Sequence, residues 1–313
     1  MTWLLYQNIL YIQIHGFQYN LIIILGQGGR FIMLREEWQV LGTEAKGLYV
    51  REWLPEKGKP QALVLIVHGH GEHGERYRYA AEQMTATGYA VVVYDLQGHG
   101  RSEGKRGHMS AMDAAIDDTL RVMEEARERH PDIPILLYGH SMGGNIALNC
   151  AIRRKPDIAA LILTSPWLKL AFKPPAIKEW IGKGVAKLFP TLPMSTGLKP
   201  EDLFRPSDLG IRPIGEDPLN HTTITPRAYL EVQSAGEWAL RNGTELHVPL
   251  LLLHGDRDRI TSFEASRRLA SDLGNSCEWY PKEGGLHELH NDIDGKETLN
   301  VIIEWVRRRL SYY

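Results

Sequence analysis

The apolar residues of this chain gather in short runs that end in turns containing Gly or Pro. Residues 62–67, 90–94, 133–138, 159–163 and 248–253 are such runs. Each is too short for a helix and lacks the polar alternation of a strand with one wet face, so they predict buried strands of a parallel sheet. Residues 37–40 and 47–53, the latter alternating at Leu48, Val50 and Trp53, predict an antiparallel start, and 277–280 a last strand. Between these runs the apolar period lengthens to that of a helix, over 112–129, 143–154, 262–273 and 298–310. Strands alternating with helices imply right-handed crossovers, a doubly wound α/β sheet and functional groups at the strand C-termini.

Two stretches break this rhythm. Between Pro166 and His247 no core strand is evident. Instead Ile177, Trp180, Ile181, Val185, Leu188 and Phe189 fall at helical spacing on one face, opposite Lys178, Glu179, Lys183 and Lys187. Pro190 and Pro193 end that helix. The stretch 166–246 is therefore expected to be a helical cap inserted above the sheet, which divides the core into 33–165 and 247–313. Its stripe of Ile177, Trp180, Ile181, Val185 and Leu188 either packs on the core or lines a substrate site, and both readings stay open. Residues 1–32 are the second exception, rich in Leu, Ile and Tyr, with Arg30 their only Lys, Arg, Asp or Glu. They lack the basic n-region and small-residue cleavage site of a signal peptide. Their longest apolar run, 21–25, is far short of the roughly 20 residues that span a bilayer. They are expected to be a non-native extension before Met33, or an anchor lying at a lipid interface.

Composition narrows the partners. A chain of 313 residues allows one large domain with an insertion. A net charge of -2 predicts no affinity for a phosphate backbone, so nucleic acid is not an expected partner. Cys150 and Cys277 are the only cysteines. Two thiols make no disulfide framework, and a cytoplasmic location is expected, with contact at a membrane surface if an anchor is present. Nothing in the sequence sets an oligomeric state.

The chemistry begins at Gly139-His140-Ser141-Met142-Gly143, a G-x-S-x-G pattern. The pattern alone is weak, because Gly100-Arg101-Ser102-Glu103-Gly104 matches it too. Context separates the two. A strand straight before a serine aims its side chain out of the sheet, and a helix straight after presents its positive end to developing negative charge. Only Ser141 is flanked this way, and its neighbouring glycines suit a strained turn. Ser141 is thus the expected nucleophile and Ser102 a loop residue.

A serine hydroxyl needs a base, and the base needs an acid that fixes its tautomer. The acid is expected after the strand 248–253, where Asp256 and Asp258 both stand. Asp256 would lie inside the tight turn, where Asp commonly bonds backbone, which favours Asp258. The base is expected before the last helix, in Gly284-Gly285-Leu286-His287-Glu288-Leu289-His290. Position favours His287, with His290 in reserve. Oxyanion donors are expected from the backbone N–H of Met142 and, in His68-Gly69-His70-Gly71-Glu72-His73, from that of His70. Whether the His70 imidazole lines the pocket or faces solvent stays open. The same loop supports a rival. His68-x-His70-x-Glu72-His73 resembles the H-x-H-x-D-H motif of zinc hydrolases, departing from it at Glu72, and would hold a metal on His68, His70 and His73. A non-catalytic binding protein is the other alternative; such proteins often lose a triad member, and none is missing here.

Together with Asp95-x-x-Gly98-His99-Gly100-x-Ser102-Glu103-Gly104 and Asp217-Pro218-Leu219, these motifs resemble the monoacylglycerol lipase and lysophospholipase branch of the α/β-hydrolases over about residues 35–310. The resemblance implies an eight-stranded, mostly parallel sheet with a cap, and a serine esterase that needs neither cofactor nor metal. It implies Ser141, Asp258 and His287 as the triad, and His70 and Met142 as the oxyanion positions. It also implies release of fatty acid from a monoacylglycerol, with a lysophospholipid or a general carboxylic ester as the alternative substrate. His70 departs from the small residue usual at its position.

Overall fold

The five apolar runs become the buried centre of one sheet. The structure, a computed structural model, describes residues 2–6, 9–13, 20–25, 32–172, 187–209, 211–212 and 214–311. In chain order the strands are β1 (Thr2–Tyr6), β2 (Ile9–Gln13), β3 (Asn20–Leu25), β4 (Ile32–Leu41), β5 (Gly47–Leu54), β6 (Leu63–Val67), β7 (Ala90–Tyr94), β8 (Ile135–His140), β9 (Ala160–Thr164), β10 (Met194–Ser195), β11 (Thr223–Ile224), β12 (Leu250–Gly255) and β13 (Cys277–Lys282). Eleven of them form a single sheet in the order β1-β2-β3-β4-β5-β7-β6-β8-β9-β12-β13, while β10 and β11 pair apart. From β7 to β13 every neighbour in that order is parallel, and β4, β5 and β7 pair antiparallel. Strands β4 to β13 of the large sheet are the eight-stranded, mostly parallel α/β-hydrolase sheet. Residues 1–32 supply β1 to β3, which extend its edge by antiparallel pairing, β3 lying on β4.

Strands buried on both faces feed two apolar layers, because successive side chains point opposite ways. Leu63, Leu65 and Val67 of β6 pack under the helices α2 (Met112–Arg129) and α3 (Ser141–Arg153). Val64 and Ile66 face the other way, toward α1 (Arg78–Ala86). Two helices on the α2 side, α4 (Pro226–Asn242) and α5 (Phe263–Leu273), complete the first layer, and α6 (Gly295–Leu310) completes the second.

Helix α4 lies within the stretch read as a cap, yet its buried residues Ala228, Val232, Ala235 and Ala239 belong to the main core cluster. Thr225 starts it by accepting a hydrogen bond from the Ala228 N–H at 3.3 Å, with Pro226 in the first turn, where its missing N–H has no consequence. Small residues on its inner face bring it close to α3. There the buried Asn145 amide donates to the Val232 carbonyl at 2.8 Å and to that of Trp167 at 2.7 Å. Of the expected apolar stripe, Ile177, Trp180, Ile181 and Val185 lie outside the described residues. Leu188 is 74% exposed.

Candidate active site

The turn from β8 into α3 is tight enough to dictate its residue types. Ser141 takes a positive φ of 52°, a strained conformation for a residue with a side chain. A Cβ on Gly139 would fall 2.5 Å from the Gly143 carbonyl, and one on Gly143 would fall 2.0 Å from the Val67 carbonyl. The two flanking glycines are therefore steric requirements, and they let the start of α3 press against the end of β6.

The structure brings Ser141, His287 and Asp258 together from three separate loops. The Ser141 hydroxyl donates to His287 Nε2 at 2.9 Å, and His287 Nδ1–H donates to Asp258 Oδ2 at 2.7 Å. All three are buried. Asp258 is held by more than the histidine. Its Oδ1 accepts from the Ile260 and Thr261 N–H groups at 2.7 and 3.0 Å, and its Oδ2 from the Thr261 hydroxyl at 2.8 Å and His254 Nε2 at 3.1 Å. Burial works to raise the Asp258 pKa, but the charge of His287 and the bonds from His254 and His287 outweigh it and hold the carboxylate well below its ordinary range. For His287 burial pulls the other way, and the Asp258 charge overcomes it to raise the imidazole above its ordinary value. Asp256, the competing acid, is exposed and accepts from the Gly284 N–H at 2.7 Å, which ties the two loops together.

His290, the reserve base, is not part of this chain of bonds. It stacks on Tyr77 with centroids 4.7 Å apart. Burial, then repulsion from Arg76 and His287, lowers its pKa to about 3. Ser102 stands elsewhere: its hydroxyl accepts from the Tyr49 N–H at 2.8 Å and donates to the Asp95 carbonyl.

The loop after β6 lies against the turn, since a Cβ on Gly69 would come within 3.2 Å of the Ser141 Cβ. His68 orients its central peptide. Its Nε2 accepts from the Leu96 N–H at 2.9 Å, which leaves Nδ1–H to donate to the Gly69 carbonyl at 2.7 Å. Because the peptide is trans, holding that carbonyl sends the His70 N–H the opposite way. Burial lowers the His68 pKa to about 4, so this neutral tautomer persists at neutral pH. The Glu72 carboxylate accepts from the Gly69 N–H, and from the Tyr77 hydroxyl at 2.9 Å. Burial first, and the charge of Glu288 next, raise the pKa of Glu72, while Arg76, bonded to Glu288 at 2.6 Å, keeps that partner ionised.

The donor atoms of the zinc-like motif are directed to different places. His70 Nε2 faces the Thr223 carbonyl and His73 Nε2 the Asp217 carboxylate, each at 3.0 Å. Among the described residues no group of three or more His, Cys, Asp or Glu is arranged to hold a metal ion. A cavity of about 30 Å³ opens beside the loop, lined by His70, His99 and Met142 together with Leu96, Met109 and Ala228. Sequence reasoning missed the roles of His254 and Thr261, which hold Asp258, and of Glu72, which holds the Gly69 N–H. Of these, only Thr261 and His254 carried a signal, their nearness to Asp258 in the chain.

Residues 58–294 match the model of the family described as serine aminopeptidase, S33. The chain is 30% identical to the human monoglyceride lipase over 285 residues, which is 87% of this chain and 90% of that protein. It is also 30% identical to the phospholipase YtpA of Bacillus subtilis over 249 residues, 79% of this chain and 95% of that one. Its fold superposes on the crystal structure of the Paleococcus ferrophilus monoacylglycerol lipase with a TM-score of 0.73, at 32% identity and over 85% of this chain and 99% of that one. The chain is thus a serine hydrolase of the α/β-hydrolase fold and belongs to the serine aminopeptidase S33 family, in its monoacylglycerol lipase branch.

Proposed function

We propose that the protein hydrolyses monoacylglycerols to fatty acid and glycerol, with Ser141 as nucleophile, His287 as general base and Asp258 as its orienting acid. The observation that carries this reading is the unbroken chain of bonds from Ser141 Oγ through His287 to Asp258 Oδ2. In the first half-reaction Ser141 Oγ attacks the ester carbonyl and His287 Nε2 takes its proton. The carbonyl oxygen becomes an oxyanion facing the N–H groups of His70 and Met142, and the alcohol leaves with the proton returned by His287. In the second, water attacks the acyl-enzyme under the same base. Asp258 stays ionised throughout, as its depressed pKa requires, and stabilises the imidazolium.

The nature of the substrate rests on the relatives, two of them named for monoacylglycerol or monoglyceride. A second reading, a phospholipase, is favoured by the relative of that name at equal identity. The exposed apolar residues Phe172, Leu188, Phe189, Leu192 and Met194, clustered in the chain about the cap, suit transient contact with a lipid surface, from which such a substrate would be drawn. Among the described residues no helix is long and apolar enough to cross a membrane. Assaying monoacylglycerols, lysophospholipids and short p-nitrophenyl esters side by side tests the reading. A kcat/KM highest on monoacylglycerol is expected, and a clear preference for lysophospholipid would replace it with the second.

A further inference from the structure

An oxyanion donor works only if it is already in place when charge develops. The His70 N–H sits between two glycines, and Gly71 takes a φ of +79°, so the loop has little stiffness of its own. Its rigidity has to come from outside. Two ties come from the loop's own end of the core, His68 on the Gly69 carbonyl and Glu72 on the Gly69 N–H. Two more come from residues 221–223, far away in the chain. The His221 N–H donates to the Gly71 carbonyl at 2.9 Å, and the His70 imidazole donates through Nε2 to the Thr223 carbonyl at 3.0 Å.

That segment is itself a firm post. A Cβ on Gly107 would fall 1.8 Å from the Thr223 carbonyl, so the carbonyl is pressed against the 98–107 loop. The Thr225 N–H donates to the Gly107 carbonyl at 3.0 Å, and Thr225 also caps α4, whose inner face is in the core. His99 and His221 both pack edge-on with the His70 ring, with centroids 5.3 Å away in each case.

We propose that His70 is a positioning residue, its imidazole a strut that holds the oxyanion N–H in register by bonding to the Thr223 carbonyl. This rests on the assignment of His70 to the oxyanion hole. The strut makes residues 221–225 part of the catalytic apparatus, so that a displacement of this segment is felt directly at the oxyanion. It also gives the departure from a small residue a purpose: the larger side chain fixes the loop as well as filling space.

Three substitutions at one position separate a hydrogen bond from mere bulk, since all keep the backbone N–H. His70→Gln retains a side-chain N–H at nearly the same reach, His70→Leu fills the volume without a donor, and His70→Ala does neither. On p-nitrophenyl butyrate, His70→Leu and His70→Ala are expected to lose roughly tenfold in kcat. That is less than the roughly 10²–10³ lost when an oxyanion donor is removed outright. KM should stay within about twofold, and labelling by a fluorophosphonate should slow in parallel. His70→Gln should recover most of the rate. Wild-type kcat in His70→Leu overturns the strut, as does a Gln variant no better than Leu. Should His70→Ala fail to fold, the Gln and Leu pair decides alone. Ser141→Ala, run alongside, guards the underlying reading: hydrolysis or labelling surviving there would undo the site assignment, whatever the His70 variants do.

Discussion

At the scale of the residue, two serines with the same flanking pattern have opposite surroundings, and the difference is physical. Ser141 has a base at 2.9 Å and a strained backbone, whereas the Ser102 hydroxyl is satisfied by backbone on both sides. Ser141→Ala is expected to abolish both ester hydrolysis and fluorophosphonate labelling. Ser102→Ala should keep both and lose about 1 kcal/mol of stability, the net worth of a buried hydrogen bond; a Ser102→Ala protein that neither hydrolyses nor labels would reverse the assignment. The base makes a prediction of its own. Only neutral His287 can accept the serine proton, and Asp258 raises its pKa above the ordinary 6.5. A plot of kcat/KM against pH should therefore climb through a pKa above 6.5 on its acid side. Asp258→Asn removes the charge that causes the rise. It should move that limb to lower pH while lowering kcat by roughly 10⁴, and an unmoved limb would assign it to another group.

At the scale of the element, what could be read in the sequence was what a single local signal determines. Strands β6, β7, β8, β9 and β12 are buried along their whole length, so their apolar runs are conspicuous. Helices α1 and α4 carry no such mark. The buried residues of α1 include Ala80, Ala81 and Thr85, and those of α4 Ala228, Ala235 and Gly236, small side chains that a search for a strong apolar stripe passes over. Smallness is the point of them: a Cβ on Gly236 would fall 2.4 Å from the Leu168 carbonyl. In the site, Ser141, Asp258 and His287 could be proposed from the sequence because each follows a strand at a position set by topology, and the structure brings the three side chains together. The ties from residues 221–223 to the 68–73 loop join groups far apart in the chain, and the clamp on Asp258, though local, follows no pattern that marks it. Gly143 tests how far the turn tolerates change. An added methyl there meets the carbonyls of Val67 and His68 at 2.0 and 2.4 Å, and neither is a side chain that can swing aside. Gly143→Ala should force α3 away from β6, with a loss of about 3 kcal/mol and a large fall in kcat, because Met142 and the His68 loop move apart. Gly215→Ala, where a Cβ meets nothing within 4 Å, is the matched control. Equal melting temperatures for the two variants would show that the turn is looser than its contacts imply.

At the scale of the whole molecule, the histidines tie stability to pH. His68, His99, His140 and His290 are buried. Burial is the largest cause in each case, and it lowers His68 to about 4, His290 to about 3, and His99 and His140 well below 6.5. Neighbouring imidazoles add to the effect, since a proton on one repels a proton on the next. His68 and His99 have ring centroids 5.4 Å apart, and His140 lies 4.9 Å from both His287 and His290. The direction follows from linkage. Above pH 6.5 these groups are neutral in both folded and unfolded chains and do not affect the balance. Below it, the unfolded chain takes up protons that the folded one refuses, so stability falls with pH until the folded pKa values are reached. One pH unit of this differential is worth about 1.4 kcal/mol per group. Below pH 6.5 each of the four is therefore destabilising, against the roughly 5–15 kcal/mol that holds a typical domain folded. His287 does not offset them. Its raised pKa, like that of Glu72, stabilises the fold as pH falls, but the imidazoles whose pKa is lowered, His70 and His221 among them, outnumber the two. Asp258, with its lowered pKa, gives up its contribution only at more acid pH, below 3.8. The melting temperature is thus expected to change little from pH 8 to 7 and to fall between pH 6 and 5. Calorimetry across that range reads the slope directly. A melting temperature that held steady down to pH 5 would mean that the four imidazoles find protons, or water, inside the folded protein.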